Sequence, residues 1–105
     1  MAVDNPSIID FISITPNNEV CLTISDHLKW NETEHYFHLE NKINSYVEII
    51  DNNQIYEIYP DAIGKFVLIN IALKYKPTKK AIKFLEKLND ILKSKKYGFS
   101  YSIIN

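Results

Sequence analysis

Thr23-Ile24-Ser25-Asp26-His27-Leu28-Lys29-Trp30 is the stretch whose reading decides the fold. Before it, Val20, Leu22 and Ile24 alternate with Cys21, Thr23 and Ser25, the period-two pattern of a strand with one buried face. After it, Asn31 is placed to cap a helix, with Glu34 three residues on to return a bond to its amide. Between the two, Ser25 and Asp26 carry short polar side chains that bond local amides and turn the chain, while Leu28 and Trp30 anchor the corner. The reading is strand, polar corner, helix.

Working back from the corner, Ile8 to Ile14 is rich in β-branched residues and reads as a strand. Thr15-Pro16-Asn17-Asn18-Glu19 supplies the turn of a β-hairpin, since Pro fits a fixed φ and Asn tolerates the left-handed conformation. Asp10 falls in line with Ile8, Ile12 and Ile14. It reads as a charge protecting a sheet edge, with half of a polar pair as the alternative.

Working forward, Glu32, Tyr36, Leu39, Ile43, Tyr46, Val47 and Ile50 share one stripe of a helix, and six of the seven are apolar or aromatic. Phe37 and Ile49 fall outside it. Asp51-Asn52-Asn53 ends that helix, Gln54 to Tyr59 reads as a short extra turn, and Pro60 to Gly64 as a loop. Lys65 to Tyr75 is nearly continuous and apolar, the composition of an interior strand buried on both faces or of a dimer contact. Thr78 then caps a second long helix reaching about Lys93, striped by Ala81, Phe84, Leu85, Leu88, Ile91 and Leu92. Lys79 and Lys80 in its first turn oppose the helix dipole, a cost with no structural return in the sequence, which points to a partner-facing role. Phe99 to Ile104 alternates as a final strand. The expected fold is α+β in ββαβαβ order: a two-layer sandwich of a four-stranded antiparallel or mixed sheet with two helices on one face.

Composition bounds the rest. A chain of 105 residues is expected to form a single domain, because two halves of about 50 residues would bury poor cores. No apolar run is long enough for a membrane helix, and the opening residues do not read as a secretion signal, so a cytoplasmic protein is expected. Cys21 is the lone cysteine and reads as an inert thiol. The net charge of −1 hides a division: eleven Asp and Glu face two Lys up to Asp61, whereas ten Lys face Glu86 and Asp90 from Ala62 onward. Every basic residue is Lys, which disfavours sequence-specific nucleic-acid binding.

The chemistry-bearing residues crowd near the corner. His27, His35 and His38 with Asp26 and Glu34 invite a metal reading, but the spacing lacks the histidine pair and intervening glutamate of zinc proteases. Asp26 beside His27 invites an acid–base reading, but adjacent residues seldom face each other as a dyad must. Two glycines cannot build a phosphate-cradling loop. No catalytic residue, metal ligand or cofactor is therefore assigned; Asp26, His27, Trp30 and Phe37 stand as candidate binding residues. The expected function is a non-enzymatic interaction or regulatory module with a protein partner, its acidic half suited to neutralising a basic protein as an immunity protein would. The alternatives are a small metal-dependent or hydrolytic enzyme at Asp26 and His27, and a weak single-stranded nucleic-acid binder through the Lys-rich half.

Val3-Asp4-Asn5-Pro6 with Ile9-Asp10-Phe11-Ile12, then Leu22 to Leu28 with Trp30, then Ile55-Tyr56 with Tyr59-Pro60-Asp61, resembles a family of small bacterial proteins known only as a domain of unknown function. The resemblance runs over nearly the whole chain. It implies a bacterial, cytoplasmic protein and carries over no activity, ligand or site residue.

Overall fold

The computed structural model describes residues 9–104. It is an α+β structure with a four-stranded mixed sheet and three helices. The strands are β1 (Phe11–Ile14), β2 (Val20–Asp26), β3 (Val67–Leu73) and β4 (Gly98–Ile103), side by side in that order. The helices are α1 (Thr33–Asp51), the short α2 (Gln54–Ile58) followed by a 3-10 turn at Pro60–Ala62, and α3 (Lys79–Ser94).

The hairpin forms as its turn chemistry requires. β1 pairs antiparallel with β2, Ile14 opposite Val20, and Asn18 takes the left-handed conformation at φ 62°. Ile8, the expected start of the first strand, and the Val3–Pro6 motif lie outside the described residues. β2 pairs parallel with β3, and β3 parallel with β4, so the sheet is mixed. Parallel neighbours need long crossovers, and α1 with α2 and then α3 supply them.

The register aligns the apolar alternation of the two central strands. Val20 lies beside Val67, Leu22 beside Ile69 and Ile24 beside Ile71, all buried, together with the inward residues Leu39, Ile43, Tyr46, Val47 and Ile50 of α1 and Ala81, Leu85, Leu88 and Leu92 of α3. The expectation that β3 is buried on both faces is corrected. Val67, Ile69, Ile71 and Leu73 are buried, but Leu68, Asn70 and Ala72 between them are half-exposed, because the described residues cover one face of this strand more fully than the other. Phe66 compensates on the open face: its ring lies over Gly98, where an added Cβ would come within 2.9 Å of it.

Two helix starts differ in how they are held. Thr78 caps α3 as expected, its Oγ1 accepting from the Ala81 amide at 3.1 Å. Asn31 does not cap α1. It sits in a turn, and Glu32 takes the cap position without a side-chain cap bond; its carboxylate accepts from the Lys29 amide at 3.1 Å instead. The physical reason is the corner itself, whose tertiary anchors fix residues 26–30 and so decide where the helix can begin.

Candidate functional site

The corner is built inward. Asp26 is the last residue of β2 and continues the buried alternation of Val20, Leu22 and Ile24, so its carboxylate enters the interior at 2% exposure. There it meets His35, in the first turn of α1, with Nε2 2.6 Å from Oδ2. The other carboxylate oxygen accepts from the Leu28 amide at 3.2 Å, which closes the turn locally. His35 is fully buried, and its Nδ1 lies 3.0 Å from the Lys29 carbonyl oxygen. Trp30 stacks on the imidazole, ring centroids 3.9 Å apart and 25° between planes, and its indole N–H donates to the Tyr75 carbonyl at 3.1 Å.

These contacts dictate the proton inventory. A carbonyl oxygen can only accept, so Nδ1 carries a hydrogen. The bond between Nε2 and Oδ2 then holds one further proton, and the pair is neutral as a unit whichever atom bears it. Every polar side-chain atom of Asp26 and His35 is thus paired among the described residues, and both side chains are buried. The arrangement can stabilise a turn and orient α1 on β2.

A second buried charge lies nearby. Lys42, fully buried on α1, donates to Asp10 Oδ1 at 3.1 Å, and Asp10 Oδ2 accepts from the Ser25 amide at 3.0 Å. The favoured reading of Asp10 as an edge charge is corrected: it is half of a polar pair, because the buried arc of α1 brings an ammonium to it. The Tyr46 hydroxyl accepts from the Asp10 amide at 2.9 Å. Burial, and then the neighbouring Asp10 charge, push the phenol well above its ordinary range; the amide bond opposes them.

At the far end of α1, Asp51 accepts from the Tyr97 hydroxyl and from Lys95 Nζ, the latter at 3.1 Å. The Tyr97 bond and then Lys95 hold the Asp51 carboxyl below its ordinary value. Partial burial first, then the bond to Asp51, push Tyr97 up to about 12.

Of the sequence-predicted binding residues, Asp26 and Trp30 come together in the sealed corner. His27 is half-buried beside it, with an enclosed Nδ1 that finds no hydrogen-bond partner among the described residues. Phe37 is elsewhere, on the outward side of α1, 64% exposed with the His38 ring 5.9 Å away. On the same helix Glu34 and Glu40, each three residues from Phe37, and Glu48, about three turns further on, are exposed, while Lys42, the only lysine of the helix, is buried. Among the described residues no group of three or more His, Cys, Asp or Glu side chains is placed to hold a metal ion, and His35 and His38 diverge, one buried and one half-exposed. Nor is any helix among the described residues long and apolar enough to cross a membrane.

Sequence reasoning missed His35 and Lys42 as buried partners. The signal for Asp26 was available in the strand alternation, which the turn chemistry of Ser25 and Asp26 obscured. His35 and Lys42 lie just beyond one margin of the apolar stripe at about 100° per residue, so the buried arc of α1 is wider than its apolar residues mark.

The fold and the buried pair define a small α+β protein whose interior polar groups find partners in one another. The chain belongs to the DUF6572 family, a family of unknown function, whose model matches residues 1–105. No curated protein and no solved structure shows significant similarity to it.

Proposed function

We propose that the protein is a small non-enzymatic interaction module that binds a basic protein partner through the outward face of α1. The observation that carries this reading is the composition of that helix: exposed carboxylates of Glu34 and Glu40 flanking an exposed Phe37 in sequence, Glu48 exposed further along, and the only lysine of the helix buried. An aromatic anchor flanked by one sign of charge is what a complementary interface uses, the ring for affinity and the charges for steering and selection. A small protein that masks a basic enzyme, as an immunity protein does, is the form of this reading that the acidic face suits. The exposure of Glu34, Phe37, Glu40 and Glu48 supports the reading that this helix face is open to a partner. The internal pairing of Asp26, His35 and Trp30 supports a non-catalytic corner.

The test is capture from a bacterial host lysate with immobilised wild-type protein, Phe37→Ala and Glu40→Lys side by side, eluted by a salt gradient. A basic protein retained by the wild type, released by salt and lost with both variants is expected. Equal retention by all three, or retention of acidic proteins only, sinks the proposal.

A further inference from the structure

A second surface carries chemistry that the acidic face of α1 does not use. A cleft of about 480 Å³ opens between α1 and α3, lined by Thr33 and Tyr36 from the first and Lys80, Lys83, Phe84 and Lys87 from the second. Its wall is aromatic: the Tyr36 and Phe84 rings meet edge to face, centroids 5.0 Å apart at 87°, and both are half-exposed. Its rim is cationic. Lys80, Lys83 and Lys87 recur at i, i+3 and i+7, which strings three ammonium groups along about 10 Å of one helix face. None of the three takes part in the ion pairs found among the described residues, and no carboxylate lines the cleft. Lys80 Nζ lies 5.3 Å from the Tyr36 ring centroid, which turns its charge toward the aromatic wall.

Three like charges on adjacent turns repel one another, and Lys80 also opposes the dipole of the helix it starts. All three are exposed, so burial does not fix their place in the fold. A ligand would offset this cost if it concentrated negative charge on a short length and had a flat body to lie on the rings. Adjacent phosphoryl groups concentrate charge in that way, whereas the carboxylates of an acidic peptide are single and spaced. The wall is too large and too apolar to serve phosphate alone. From these observations we infer that the cleft binds a nucleoside diphosphate, its phosphates on Lys80, Lys83 and Lys87 and its base against Tyr36 and Phe84. Lysines act here as point charges rather than planar forks, so the site selects for charge and stacking and not for one base.

The experiment is an NMR titration of the full chain with ADP, with adenosine and pyrophosphate as separate arms, repeated on a Lys83→Glu/Lys87→Glu double variant. Saturable one-to-one binding of ADP is expected, with shifts concentrated at Thr33, Tyr36, Lys80, Lys83, Phe84 and Lys87. ADP should bind at least tenfold more tightly than either adenosine or pyrophosphate, and the double variant should weaken it at least tenfold at an unfolding midpoint no lower than that of the wild type. Pyrophosphate binding as tightly as ADP would remove the aromatic wall from the site. Shifts spread over all lysines, or unchanged affinity in the double variant, would overturn the proposal. So would an oligothymidylate that binds more tightly than ADP and also shifts β4, which would mark a nucleic-acid surface. Phe37→Ala should leave ADP binding unchanged, so this site and the acidic face stand or fall separately.

Discussion

Asp26 shows how one residue can be legible in position and illegible in partner. Its place in the alternation of β2 was readable, but the partner it finds is His35, nine residues on, and not the adjacent His27. Sequence adjacency suggested a dyad; strand geometry sends neighbouring side chains to opposite sides, and only the docking of α1 brings the right imidazole. Lys42 was harder still, because a lysine inside a helix reads as surface until a buried carboxylate such as Asp10 is known to face it. The pair of Asp51 and Tyr97 gives a pH prediction with two signs. Asp51 titrates below its ordinary 3.8, so its contribution to stability is present above that value and lost as pH falls through the lower folded value. Tyr97 titrates above its ordinary 10.0, so its contribution is present below pH 10 and lost as pH rises toward about 12. An ultraviolet phenolate titration of Asp51→Asn should therefore show the Tyr97 midpoint lowered toward 10, with burial holding part of the shift. An unmoved midpoint would mean that burial alone sets it.

At the scale of elements, the long periodic segments were legible and their ends were less so. The stripes of α1 and α3 place Leu39, Ile43, Leu85 and Leu88 in the core as expected, because a 3.6 period sustained over several turns matches a helix with one buried face and no strand. Ile91, placed on the stripe of α3, is 52% exposed, so the buried arc of that helix is narrower than its apolar residues mark. The start of α3 was readable from Thr78, a local cap; the start of α1 was not, because the Trp30 bond to Tyr75 and the Asp26 bond to Leu28 override the cap that Asn31 would make. Thr78→Ala should lower stability by about 1 kcal/mol in urea unfolding. Lys79→Ala, at the same helix start, should do the opposite by a few tenths of a kcal/mol, about the size of one dipole interaction. If both substitutions destabilise, Lys79 makes a structural contact that the fold does not reveal.

For the whole molecule, the division of charge along the chain becomes a division of surfaces. Acidic residues cluster on the outward face of α1 and lysines along α3, while the uncovered face of the sheet is nearly uncharged: Ser13, Cys21, Thr23, Asn70, Ser100 and Ser102 lie on it, with Ser100 bonded to Asn70 at 2.9 Å. That arrangement was only half legible, because a charge count does not tell which lysine is buried. What joins these surfaces is the corner, which ends β2, turns the chain and fixes the start of α1. Its buried polar groups pair with one another, and this pairing is expected to hold the fold together. The direct measurement is the unfolding free energy of Asp26→Asn beside Asp26→Ala. Asn keeps an oxygen for the Leu28 amide and offers an N–H to His35 Nε2, so it should cost about 1 kcal/mol. Ala strands a buried imidazole and should cost about 3–5 kcal/mol. If both variants unfold like the wild type, the pair does not hold the fold together, and the corner must be kept for another purpose.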